Sequence, residues 1–128
     1  MKSYLLAGVG LLLALTLTPA DPAVADAAVA ERIRALSLRI EQYPGNQPLL
    51  LQRSMAYVDN NQPELALADI LAAEAADDPV KAAFTHGVLL YKSRDYVSAQ
   101  PYFDRYLHAY PQHLGALKYR ARLLRDTG

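Results

Sequence analysis

The sequence predicts an all-α protein of about six helices that follow an N-terminal leader segment. Apolar residues recur at three- and four-residue spacing through most of the chain, as on the buried face of a helix. No stretch shows the strict alternation of a half-buried strand. Proline, glycine or paired polar residues interrupt the pattern at short intervals, as turns between helices do.

The composition excludes several classes of protein. With 128 residues and 14.1 kDa, the chain has room for one domain. It has no cysteine, which excludes disulfides, thiolate metal sites and a cysteine nucleophile. A formal net charge of zero argues against bulk affinity for nucleic acid, so we expect no nucleic-acid partner. At 52% hydrophobic and 20% charged residues, the chain is not intrinsically disordered.

The N-terminus has the three parts of a secretory signal peptide. Lys2 supplies a positive charge, residues 4–17 form an uncharged leucine-rich run, and small residues around Ala25 suit a signal peptidase. We predict a signal peptide over residues 1–25, with cleavage after Ala25 or Ala27. An uncleaved anchor is the alternative, although a membrane span needs about 20 apolar residues. Contact with a membrane is expected only through this segment, if it stays uncleaved.

The leader implies that the mature domain, residues 26–128, is exported. A chain without thiols tolerates an oxidising compartment. The short apolar core of the leader and the excess of arginine over lysine, nine to four, are typical of bacterial proteins. We therefore predict secretion to a bacterial periplasm.

The predicted helices span residues 29–42, 48–59, 64–76, 80–91, 96–109 and 114–125. The Tyr-Pro-Gly-Asn turn at residues 43–46 ends the first of them. Pro48 and Pro63 suit the first turns of the second and third helices, because proline is tolerated there. Asp78 is a suitable N-cap for the fourth helix.

Two segments of the chain match each other at a shift of 33 residues. The shift places Ala66, Ile70 and Ala73 on Ala99, Phe103 and Tyr106. The second unit has five key residues at intervals of 9, 3, 4 and 8, namely Gly87, Tyr96, Ala99, Phe103 and Pro111. A period near 34 in helix–turn–helix units is typical of tetratricopeptide repeats. The chain resembles that family.

The resemblance implies a right-handed α-solenoid of antiparallel helix hairpins. Its two repeats would span about 47–79 and 80–113, with half units at 29–46 and 114–128. Gly87 and Ala99 would let the two helices of a hairpin approach closely, while Phe103 and Tyr96 fill the space between hairpins. Arg94 stands where the turn of such a repeat usually has glycine.

Residues suited to catalysis are few. The chain has three histidines, His86, His108 and His113. His108 and His113 flank the turn at Pro111 without a nearby third ligand, whereas zinc normally takes three or four protein ligands. We interpret His86 as a buried structural residue. The serines lack an adjacent base, and paired carboxylates such as Asp77 and Asp78 lie in turns, where helix capping explains them. We expect no catalytic residues, no metal, no cofactor and no enzymatic activity.

The resemblance further implies a concave groove lined by the first helix of each repeat. The matching positions are Leu51, Met55 and Val58, then Lys81, Phe84, Val88 and Tyr91, and finally Lys118, Arg122 and Arg125. Such a groove is apolar at one end and basic at the other. It would suit a protein or peptide segment that is hydrophobic and then acidic, or that ends in a free C-terminus.

These features predict a non-catalytic adaptor or assembly factor of the cell envelope that binds a partner segment in the groove. Two alternatives remain open: an envelope scaffold that self-associates through exposed ends of the array, and a non-catalytic subunit of a periplasmic enzyme complex. The helix at 114–125 is either a cap on the array or the start of a further hairpin.

Overall fold

The structure, a computed structural model, describes residues 21–128. These residues form six α-helices and no strand, which confirms the predicted all-α class. The helices are α1 (Pro22–Gln42), α2 (Gln47–Asp59), α3 (Pro63–Ala76), α4 (Pro79–Lys92), α5 (Tyr96–Ala109) and α6 (Leu114–Thr127). Most of the predicted signal peptide falls in residues 1–20, outside the described residues, so it stays a prediction.

Helix α1 begins at Pro22, earlier than the predicted start at Val29. The Asp21 side chain accepts a hydrogen bond from a backbone N–H of the first turn at 3.0 Å, which caps the helix. Pro22 occupies a first-turn position, where its missing N–H costs nothing, and the alanines that follow favour the helix. Both predicted cleavage points, after Ala25 and Ala27, therefore lie in the exposed first turns of α1.

Two turns of the same kind close α2 and α4. Asn61 and Arg94 have left-handed backbone conformations, with φ of 56° and 63°. The residue after each donates its N–H to the carbonyl oxygen five residues earlier, at 2.8 and 2.9 Å. This is the Schellman arrangement, which usually has glycine at the left-handed position. Arg94 thus closes its turn in the backbone conformation that glycine usually adopts.

A second kind of turn follows α1 and α5. Tyr43 and Tyr110 end these helices with nearly equal backbone angles, φ −133° and ψ 72° against φ −129° and ψ 71°. A proline follows each tyrosine. Asn46 and His113 then cap the next helices, each accepting the N–H three residues on, at 3.0 and 3.1 Å. The turns recur along the chain, so the fold is helical and repeat-like.

Each of the six described helices packs against the next one in the chain, most extensively α2 on α3 and α4 on α5. The even-numbered helices also contact one another, α2 with α4 and α4 with α6. Among the described helices, α1 does not contact α3, and α3 does not contact α5. The even-numbered helices therefore lie closer together than the odd-numbered ones.

Small residues allow the two helices of each hairpin to pack closely together. In the α2–α3 hairpin the buried Ser54 hydroxyl donates to the Ala66 carbonyl oxygen at 2.9 Å. In the α4–α5 hairpin a Cβ added at Gly87 would lie only 2.8 Å from the ring of Phe103, which is fully buried. The close approach predicted at Gly87 is confirmed.

Buried polar contacts join the first three helices and fix the start of α4. The Arg53 guanidinium of α2 donates to both carboxylate oxygens of Asp69 on α3 at 2.7 Å, and to the Ser37 hydroxyl of α1 at 3.1 Å. The Gln47 amide donates to two carbonyl oxygens at the end of α3 and the turn that follows it, each at 2.9 Å. Because these partners belong to different helices, the contacts set how the first helices pack.

Candidate partner-binding surface

An open cavity of about 440 Å³ lies between α1, α2 and α4. Leu51 and Met55, two of the predicted groove residues, line it from α2. The other lining residues are Arg32 and Leu36 of α1, Gln52 of α2 and Thr85 of α4. We call these six residues the α1/α2/α4 cavity.

The α1/α2/α4 cavity combines an apolar lining with polar side chains. Leu36, Leu51 and Met55 supply the apolar part. Arg32, one helical turn before Leu36 on α1, supplies a cation, and its Nη2 atom lies 3.1 Å from a carboxylate oxygen of Asp59. Both members of this ion pair are about half exposed, so the pair is weak and can exchange for a ligand carboxylate. Apolar walls with few polar groups are typical of sites that bind peptide side chains.

Val58 lies elsewhere. It lines a smaller cavity of about 200 Å³ near the end of α4, together with Leu89, Lys92 and residues of the α2–α3 turn. It also packs against two core clusters, one formed by α3 and α4 and the other by α4, α5 and α6. Val58 therefore does not continue the surface formed by Leu51 and Met55.

Val88 is a core residue, and its prediction as a groove residue is wrong. Its side chain is fully buried in one apolar cluster with Ala99, Phe103 and Leu123. Leu123 belongs to α6, which packs against α4. Helix α6, which was predicted to line the groove, thus packs against Val88 and covers it.

Phe84 and Tyr91 are half-buried for the same reason. Tyr119 of α6 lies against both rings, with centroids 6.0 Å from Phe84 and 5.2 Å from Tyr91. The Tyr91 hydroxyl donates to a carboxylate oxygen of Asp126 at 2.6 Å, and this hydrogen bond raises the pKa of Tyr91. In this part of the fold α6 occupies much of the space that a ligand would need.

The predicted basic residues are exposed. Lys81 forms an ion pair with Asp77 at 3.3 Å. Arg122 lies over the Tyr119 ring at 5.3 Å, and the Arg125 Nε atom donates to Asp126 at 2.9 Å. Lys118 is exposed on the same helix as these two arginines. No residue of α6 lines the α1/α2/α4 cavity, so the apolar and basic ends of the predicted groove are separate surfaces.

Four residues of the α1/α2/α4 cavity were missed from the sequence: Arg32, Leu36, Gln52 and Thr85. Leu36 belongs to the apolar stripe of α1, which could have indicated contact with α2. Gln52 and Thr85 are chain neighbours of the predicted residues Leu51 and Phe84. Nothing in the local pattern indicates Arg32, because its position depends on how α1 crosses α2.

Two of the three histidines, His86 and His113, have structural contacts. The nearly buried His86 stacks on Tyr102 at 4.0 Å, and its Nδ1 atom lies 3.0 Å from a carboxylate oxygen of Glu74. This confirms the interpretation of His86 as a buried structural residue. His113 caps α6 through Nδ1. Within residues 21–128, no group of three or more histidine or carboxylate side chains is placed to hold a metal ion.

The chain was compared with protein-family models, curated proteins and solved structures, and no match was found. In the part of the chain that the structure describes, no helix is long and apolar enough to cross a membrane.

Proposed function

We propose that this protein is a non-catalytic adaptor or assembly factor of the bacterial cell envelope that holds a segment of a partner protein in the α1/α2/α4 cavity. The observation that carries the proposal is the cavity itself, open to solvent and lined by Leu36, Leu51 and Met55 beside the cationic Arg32. A volume of about 440 Å³ lies in the range of sites for small ligands. It would take one or two apolar side chains of an extended peptide.

The arrangement of the helices supports this use. The even-numbered helices contact one another and the odd-numbered helices do not, which favours a stack curved toward the even-numbered side. In a solenoid of the tetratricopeptide kind, that inner side is where the partner binds. Leu51 and Met55 lie on α2, an even-numbered helix.

The chemistry of the cavity specifies the segment. An apolar side chain would contact Leu51 and Met55, and an acidic side chain or a C-terminal carboxylate would replace Asp59 as the partner of Arg32. Binding in a pre-formed cavity needs little rearrangement. No step in this function requires a catalytic residue, a metal or a cofactor.

The proposal is tested by capturing partners from an envelope extract with the immobilised protein and identifying them by mass spectrometry. We expect one dominant partner that is retained at moderate salt. It should be lost with Met55→Glu, because this variant places a negative charge where an apolar side chain of the partner would bind. The matched control is Val97→Glu on α5, because Val97 is 84% exposed and does not line the cavity. Equal capture by both variants, or no partner, would contradict the proposal.

The envelope location is tested separately. We expect the protein in the periplasmic fraction with an N-terminus at Asp26 or Ala28. N-terminal sequencing of the fractionated protein measures this directly, and an intact Met1 in the cytoplasmic fraction would contradict it.

A further inference from the structure

Helix α3 presents an apolar surface to solvent. Its exposed residues include Leu65, Leu67 and Leu71, which are 46%, 38% and 53% exposed. Three exposed alanines complete the surface, which we call the α3 face: Leu65, Leu67, Ala68, Leu71, Ala72 and Ala75. Single exposed leucines are ordinary, whereas a contiguous apolar face indicates a contact surface.

The second repeat shows that the fold does not need apolar residues there. Helix α5 occupies the equivalent place 33 residues on, where Gln100 stands for Leu67 and Asp104 stands for Leu71. Arg105 and His108 likewise stand for Ala72 and Ala75. All four of these α5 residues are exposed. The leucines of the α3 face therefore serve something other than the packing of the hairpin.

Helix α6 carries a second apolar stripe, whose residues are exposed except for the half-buried Leu117. Its members recur at spacings of 3, 4 and 3 and so share one side of the helix. We call them the α6 face: Leu114, Leu117, Ala121 and Leu124. Leu114 and Leu124 are 62% and 63% exposed. Basic residues border the stripe on both sides, Arg120 on one and Lys118, Arg122 and Arg125 on the other.

The two faces are complementary in length and charge. Helices α3 and α6 have 14 residues each, or about 21 Å at the usual rise. Helix α3 has no basic residue, and of its acidic residues Glu64 is exposed and Glu74 is half-buried, while Asp69 is buried against Arg53. Helix α6 has four exposed basic residues and one acidic residue. We propose that the α3 face of one copy binds the α6 face of a second copy of this chain.

Symmetric pairings fit the charges less well. Two α3 faces would bring acidic helices together, and two α6 faces would bring eight basic side chains into one contact, so like charges would oppose both pairings. A contact between two different faces leaves one free face at each end of a dimer. Such contacts grow into open chains or close into rings. A contact of one helix pair is small, so we expect a dissociation constant of about 10 µM or weaker.

This association is independent of the proposed function. Neither face includes a residue of the α1/α2/α4 cavity, so partner capture and self-association can be lost separately. Variants that associate normally and bind no partner, or the reverse, distinguish the failure of one proposal from the failure of the other.

The experiment is sedimentation velocity on the protein purified from cells, at protein concentrations from about 10 µM to about 1 mM. We expect the average mass to rise above the monomer with concentration, and to fall when salt is raised, because screening weakens the charge attraction. The α3 variant Leu67→Gln/Leu71→Asp and the α6 variant Leu124→Asp should each stay monomeric. The α3 variant copies residues that α5 already carries, so its helicity and its unfolding temperature should change little.

Mixing the two variants gives the decisive result. Each retains the face that the other lacks, so an equimolar mixture should form a one-to-one dimer and nothing larger. The control Val97→Gln on α5 should associate as the unaltered protein does. An unaltered protein that stays monomeric at about 1 mM overturns the proposal, as does a variant mixture that fails to dimerise. Binding of monomeric protein to anionic phospholipid vesicles, lost in Leu124→Asp, would instead assign the α6 face to a membrane surface.

Discussion

Arg53 and His86 hold the same position in two successive hairpins, 33 residues apart, and each joins three helices. Arg53 on α2 bonds Asp69 on the following helix and Ser37 on the preceding one. His86 on α4 stacks on Tyr102, the residue equivalent to Asp69, and lies against Glu74 on the preceding helix. An ion pair in one hairpin thus becomes an aromatic stack at the equivalent positions of the next.

The Arg53–Asp69 pair should be a major determinant of stability. The Asp69 side chain is 7% exposed, so Arg53→Met would leave an uncompensated buried carboxylate. We expect a loss of about 2 to 4 kcal/mol in the free energy of unfolding. Urea denaturation measures it. The double variant Arg53→Met/Asp69→Leu should recover most of the loss, since it removes both charges.

The matched control for this pair is Arg32→Met, which breaks the half-exposed ion pair with Asp59. We expect a change of no more than about 0.5 kcal/mol, because solvent already screens these charges. Equal losses in Arg53→Met and Arg32→Met would show that burial does not decide the strength of the two pairs.

Gly87 should tolerate no side chain. A Cβ there would lie 2.8 Å from the Phe103 ring, which is fully buried and cannot swing away. We expect Gly87→Ala to lower the free energy of unfolding by about 1 to 3 kcal/mol. Thermal unfolding followed by circular dichroism measures the loss. Gly45→Ala, at a glycine with no neighbouring atom within 4 Å, should be neutral or slightly stabilising.

Arg94→Gly should stabilise the protein. Arg94 has φ of 63°, a conformation that costs a residue with a Cβ about 1 kcal/mol relative to glycine. We expect a gain of up to that amount, measured by urea denaturation. Ser93→Gly is the control, because Ser93 has φ of −79° and glycine there only adds freedom to the unfolded chain. A loss in both variants would mean that Arg94 makes a stabilising contact outweighing its backbone strain.

Acid should lower the free energy of unfolding, partly because it protonates two exposed carboxylates. The backbone N–H of Asp78, and then Lys81, lower the pKa of Asp77 below its ordinary value of 3.8. Hydrogen bonds from Arg125 and then Tyr91 do the same to the pKa of Asp126. A carboxyl group whose pKa is lower in the folded state stabilises that state fully above pH 3.8. This contribution is lost as pH falls through the lower, folded values.

The double variant Asp77→Asn/Asp126→Asn should therefore lose less stability than the unaltered protein between about pH 5 and about pH 2. Urea denaturation at a series of pH values measures both slopes. Identical slopes would show that these two groups do not contribute to the acid sensitivity.

The helices and their turns could be predicted from local patterns in the sequence. Apolar spacing, prolines and capping residues act within a few neighbours, so α2 to α6 lie close to their predicted bounds. The 33-residue shift also predicted the equivalence of Ile70 and Phe103, and both are fully buried. The start of α1 was missed because residues 1–25 were assigned to the signal peptide, whereas Pro22 occupies the first turn of the helix.

Which residues are available to a partner could not be predicted in the same way, because it depends on contacts between distant helices. Val88 and Met55 occupy equivalent positions, yet Val88 is closed off by Leu123 while Met55 lines a cavity. Arg32 and Thr85 line that same cavity from helices far apart in the chain. Local pattern fixes which side of a helix is apolar. Whether that side becomes core or surface depends on which distant helix packs over it, and this is set by the geometry of the whole stack.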